Sequence, residues 1–119
     1  MGYRSDVKIL CEPKAYQMIK DSMDEFNKTQ DLYKFKPHEL QQKGRFTLLS
    51  WYDVKWYYNY EDVQSVESVL DKLRNEYSDT EGYGFKKIEV GEDGETLERS
   101  NNYDLDSYLY VIHTIECDL

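Results

Sequence analysis

Phe46-Thr47-Leu48-Leu49-Ser50-Trp51-Tyr52-Asp53-Val54-Lys55-Trp56-Tyr57-Tyr58 is the stretch whose reading decides the fold. It is rich in aromatic and β-branched residues, which suit a pleated, packed surface. Phe46, Leu48, Tyr52, Val54 and Trp56 share one parity, and Thr47, Leu49, Trp51, Asp53, Lys55 and Tyr57 share the other. Aromatics on both faces predict a long central strand, or two strands bent near Tyr52-Asp53 by a bulge or tight turn. The pattern then changes period. Asn59 reads as a helix cap, with Asp62 three residues on. Val63, Val66, Leu70, Leu73 and Tyr77 recur at helical spacing, and Glu67, Asp71, Lys72, Asn75 and Glu76 read as the exposed face. A one-sided helix beside such a strand predicts helix-on-sheet packing.

Working toward the N-terminus, residues 30–45 are the least regular part. Leu32, Tyr33 and Phe35 stand isolated among lysines, and Pro37-His38-Glu39-Leu40 reads as a short helical turn. Before it, Tyr16, Ile19, Met23 and Phe26 mark an amphipathic helix that opens at Glu12-Pro13 and fades around Asn27-Lys28-Thr29. Val7, Ile9 and Cys11 alternate with Lys8 and Leu10 as a first strand. Toward the C-terminus, residues 83–90 and 95–99 read as a hairpin around Gly91-Glu92-Asp93-Gly94. Asn101-Asn102 makes a turn, and 107–115 reads as a last strand. The order predicts a single α+β domain over residues 1–119. Two helices pack on one face of a mixed, mostly antiparallel sheet, as a ferredoxin-like or related two-layer sandwich.

Charge is divided unevenly along this frame. Residues 1–60 carry 10 Lys/Arg and 8 Asp/Glu, whereas residues 61–119 carry 5 and 16. A total of −9 opposes attraction to nucleic acid or anionic lipid. No apolar run approaches the length of a membrane span, and the first residues lack a signal-peptide core, so the expected location is the cytoplasm. Free, buried thiols are expected at Cys11 and Cys117 in that setting.

No phosphate loop, nucleophile elbow or His-rich metal motif is present. Asp93, Glu95 and Glu98 lack the ordered spacing of a calcium loop. His113 and Cys117, even with Cys11, leave a zinc site short of a fourth ligand. The reading is therefore a non-enzyme with no metal or cofactor. Carboxylate pairs leave no sequence trace, which keeps a small carboxylate-dependent enzyme as an alternative.

The segments Gly2-Tyr3-Arg4-Ser5-Asp6-Val7, Trp51-Tyr52-Asp53-Val54-Lys55-Trp56-Tyr57 and Tyr83-Gly84-Phe85-Lys86-Lys87-Ile88, with the Glu92-Asp93 turn, resemble a group of small acidic proteins encoded by bacteriophages. The resemblance implies a phage accessory protein acting on host machinery or host defence, in the host cytoplasm. It carries over no site residues.

Two functional expectations follow. The first is a non-catalytic inhibitor that binds and blocks a host protein with a basic surface, such as a nuclease or defence effector. Its contact residues would be Glu92, Asp93, Glu95, Glu98, Asp104 and Asp106, presenting carboxylates a few ångströms apart. The competing explanation for these acids is a solvated surface that keeps an aromatic-rich chain in solution. The second expectation is a module that sequesters a signalling nucleotide, with Trp51 and Tyr57 as a contact surface beside Arg45 and Lys55. Packing in the core is the competing explanation for these aromatics.

Overall fold

The computed structural model describes residues 3–32, 34–111 and 115–117. Strand β1, Ser5–Cys11, lies at the centre of a five-stranded sheet. Helix α1, Pro13–Asn27, follows at once and carries proline in its first turn, where no N–H is required. After it come β2, Glu39–Lys43, and β3, Phe46–Val54, then helix α2, Glu61–Glu76. The hairpin of β4, Phe85–Gly91, and β5, Thr96–Ser100, completes the sheet. The spatial order is β2-β3-β1-β4-β5, and every described pairing in it is antiparallel. Each helical crossover skips one position: β3 fills the gap between β1 and β2, and β1 fills the gap between β3 and β4. That is the split βαβ arrangement of a ferredoxin-like sandwich, extended by β5.

The alternation in β1 divides the core. Val7, Ile9 and Cys11 join Leu49, Trp51 and Phe85 beneath the helices. Ala15, Ile19 and Met23 cover them from α1, and Val63, Val66, Leu70 and Leu73 from α2. Full burial of such a side chain stabilises by about 1.5–3 kcal/mol. Leu10, Leu48 and Ile88 face the other way, against Phe46, Leu105, Leu109 and Ile115.

Several expectations need correction. The predicted last strand over 107–115 does not join the sheet. Asn101 intervenes: its side chain accepts from Phe85 N and donates to Leu73 O and Tyr83 O, which turns the chain off the sheet edge. A 3-10 turn, Tyr103–Ser107, then leads to a separate hairpin of β6, Leu109–Val111, and β7, Ile115–Cys117. Leu109 and Ile115 of this hairpin help cover the face opposite the helices. His113 lies outside the described residues. The helical turn expected at residues 37–40 does not form: Pro37 and His38 lead into the edge strand β2, which begins at Glu39. That strand is held by pairing to β3 through a two-residue turn with Gly44 at φ 63°. The N-cap of α2 is Tyr60 rather than Asn59, and it makes no side-chain cap bond. Glu67, expected on the exposed face, is 2 % exposed.

A cationic cleft over an aromatic floor

Asp53 sets the geometry of a cleft at the end of β3. In a regular strand, residues five apart point to opposite faces, so Trp51 and Trp56 would separate. Asp53 has φ 53° and the chain leaves the sheet after Val54. Aspartate tolerates this left-handed region better than most side chains. Two neighbours pin it: Arg4 Nη1 donates to Asp53 O at 2.8 Å, and Asp53 N donates to Asp6 Oδ1 at 2.9 Å. The reversal brings Trp56 back onto Trp51, with ring centroids 4.9 Å apart.

Phe35 completes the floor. Its ring stacks on Trp51 at 5.7 Å and meets Trp56 at 5.9 Å. The irregular segment around it is fixed by Asn27, whose side chain accepts from Phe35 N at 2.7 Å and donates to Phe35 O at 2.9 Å. This two-point clamp imitates a strand pairing, which is how a stretch without sequence periodicity gains a defined place.

Above this floor opens a cleft of about 470 Å³. Arg4, Lys34, Lys36 and Lys55 line it, with Asp53 and Asp62 as the acidic members. His38 and Tyr60 complete the walls. Lys36 and Lys55 make no ion pair among the described residues. Lys34 Nζ caps carbonyls at the end of α1, donating to Asn27 O and Gln30 O. Trp56 Nε1 donates to Glu67 Oε2 at 2.7 Å. Trp51 is 1 % exposed, yet its Nε1 has no acceptor among the described residues.

Behind Trp56 lies a buried ionic network. Lys87 is 0 % exposed, and its Nζ sits 2.5 Å from Glu67 Oε2 and 2.6 Å from Glu89 Oε1. Arg99 Nη1 reaches Glu67 Oε1 at 2.6 Å, and the same guanidinium pairs with Asp71. The Tyr58 hydroxyl donates to Glu89; burial, and then this carboxylate, pushes its pKa well above the ordinary tyrosine value. Sequence reading missed this set. A usable signal existed, since Glu67 is four residues after Val63 and three before Leu70, on the apolar stripe itself.

The six acidic residues singled out from sequence do not form one cluster. Glu92, Asp93 and Glu95 are exposed at the β4–β5 turn. Glu92 accepts from Arg4 N, and Asp93 accepts from the Tyr3 hydroxyl. The hydrogen bond to Asp93, above all, raises the Tyr3 pKa to about 12, and the same bond lowers that of Asp93. Glu98 pairs with Lys86 at 2.9 Å, facing the β6–β7 side. Asp104 lies in the 3-10 turn beyond the opposite end of β5, its N–H donating to Asn102 Oδ1. The backbone of Asp106 belongs to the same turn, and its side chain lies outside the described residues.

Of the aromatic pair, Trp51 is buried in the cleft floor, whereas Tyr57 is half-buried against Tyr60, at 5.0 Å. Lys55 lines the cleft; Arg45 instead pairs with the buried Glu12 at 3.0 Å. Cys11 and Cys117 are free, the first buried and the second half-buried. Burial pushes the Cys11 thiol pKa far up. Among the described residues no group of three His, Cys, Asp or Glu side chains is arranged to hold a metal ion, and no helix is long and apolar enough to cross a membrane. No family model, curated protein or solved structure matches this chain.

Proposed function

We propose that this protein is a non-catalytic binding module that sequesters a nucleotide in the Trp51 cleft. The observation that carries this reading is the exposed Tyr60 ring beside four cationic side chains in one cleft. Tyr60 offers an exposed aromatic face on which a nucleotide base can stack. Charge supports the anionic end: four of the ten Lys/Arg in residues 1–60 line this cleft, against two carboxylates. The volume, about 470 Å³, is within the ~300–1,000 Å³ range of small-molecule sites. It has room for a mononucleotide but not for a folded partner.

Titration calorimetry and thermal unfolding with the four ribonucleoside 5′-monophosphates test this. A ligand at a hundredfold excess over its Kd should stabilise the fold by about 2.7 kcal/mol. Lys36→Ala with Lys55→Ala should weaken binding tenfold or more, because charged hydrogen bonds are the strong ones. Lys72→Ala on the exposed side of α2 is the control. If no nucleotide shifts the melting temperature and none copurifies, the reading is wrong.

A second reading keeps the acidic hairpin as the surface that blocks a basic host protein, in the phage setting the sequence resemblance implies. Its support is the strapping of the turn to the start of β1 by Tyr3–Asp93 and Arg4–Glu92, which holds three exposed carboxylates in place. Replacing Glu92, Asp93 and Glu95 with lysine should slow association with such a partner and lessen its salt dependence. Reversal of Asp21 and Asp24 on α1 should have far less effect; equal binding by the two variants would reduce the hairpin acids to a solubility device.

A further inference from the structure

Resting on the cleft reading above, we infer that Asp53 is the specificity residue of this site and selects a ribonucleotide over its 2′-deoxy counterpart. The cleft lining contains two carboxylates, Asp53 and Asp62. Asp62 is already engaged, since its Oδ1 accepts from Val63 N at 2.7 Å. The Asp53 side chain is exposed and has no hydrogen bond or ion pair among the described residues, although both its backbone groups are fixed. A carboxylate so held is a pre-positioned acceptor of two hydrogen bonds.

The cleft's charge narrows what it accepts from. Four cations surround it, so the ligand that enters is anionic and brings no second cation for Asp53 to pair with. The donor must be neutral. On a nucleotide whose base lies against the exposed Tyr60 and whose phosphate meets the lysines, the neutral donors between the two are the ribose hydroxyls. Carboxylate recognition of a ribose 2′-hydroxyl is an established use of this chemistry. The rival account is purely conformational: aspartate stands here because φ is positive, and asparagine or glycine would serve equally.

Calorimetry with the four ribonucleoside 5′-monophosphates and their 2′-deoxy forms separates these. The wild-type protein should prefer the ribonucleotide about tenfold or more, the worth of a hydrogen bond to a charged group. Asp53→Asn keeps the shape, and Asp53→Gly keeps the turn whatever the side chain contributes to folding. Both should bring the two forms within about threefold of each other, with melting temperatures recorded in parallel. Equal wild-type binding of ribo- and deoxynucleotides, or a preference that survives both substitutions, overturns the role of Asp53 while leaving the cleft reading intact. Absence of binding by every member of the panel overturns the cleft reading, and this inference with it.

Discussion

Lys87→Met should destabilise the protein by about 3–5 kcal/mol, the range for removing one partner of a buried ion pair. Lys87 is fully enclosed, and its ammonium is shared by Glu67 and Glu89. Without it, Glu67 keeps Arg99 and the Trp56 N–H, but Glu89 is left with the Tyr58 hydroxyl as its side-chain partner among the described residues. A carboxylate buried with one neutral donor is poorly compensated. The double variant Lys87→Met with Glu89→Gln should therefore recover part of the loss, because the uncompensated charge is gone and the amide still accepts from Tyr58. Arg99→Met should cost less than Lys87→Met, since its side chain is 21 % exposed and water partly replaces it. Urea titration with an unchanged slope measures all three. A Lys87→Met loss below about 1 kcal/mol would mean that water reaches the network and that these ions are not enclosed. Trp56 shares Glu67 with Lys87, so its fluorescence should report the same disruption at the cleft floor.

How far such sites can be read from sequence depends on which force places each residue. The α2 stripe and the β1 alternation were legible because one apolar face imposes a period on the chain. The hairpin at Gly91–Gly94 was legible because turn chemistry is local. Strand β2 was not: Glu39, Gln41, Gln42 and Lys43 have poor strand propensity, and an edge strand is held by its neighbour's hydrogen bonds rather than by its own side chains. The cleft was legible only in part. Trp51 and Lys55 stood out, but parity set Trp56 on the opposite face, and only the positive φ of Asp53 brings the two indoles together. Phe35 gave no periodic signal, because Asn27 fixes it from eight residues away. Lys87 and Glu89 alternate with apolar residues in a way that reads equally well as a solvated strand face. Their burial depends on α2 presenting Glu67, a long-range match that no local window contains.

Leu70→Ala should cost about 2–5 kcal/mol, the range for deleting buried leucine methyls and leaving a cavity. Leu70 is fully buried at the middle of the α2 stripe, in the cluster that joins Val66 and Leu73 to Ile9, Leu49 and Phe85. Alanine is a better helix former than leucine, so local propensity predicts no loss. Any destabilisation must then come from the helix–sheet contact. The surrounding elements restrict relief of the void, because α2 is tied to the sheet at Glu67 by Lys87 and Arg99 and near its end by Asn101. With little freedom to collapse, the cost should fall in the upper part of the range. Leu97→Ala is the matched control: it removes the same atoms from a β5 residue that is 55 % exposed, and should change stability by less than about 0.5 kcal/mol. Domains of this kind hold about 5–15 kcal/mol in total, so the first substitution should shift the denaturant midpoint by a large fraction and the second barely at all. Equal midpoints for the two variants would mean that α2 does not bury its stripe against the sheet, and the cleft that α2 helps to wall would lose its support with it.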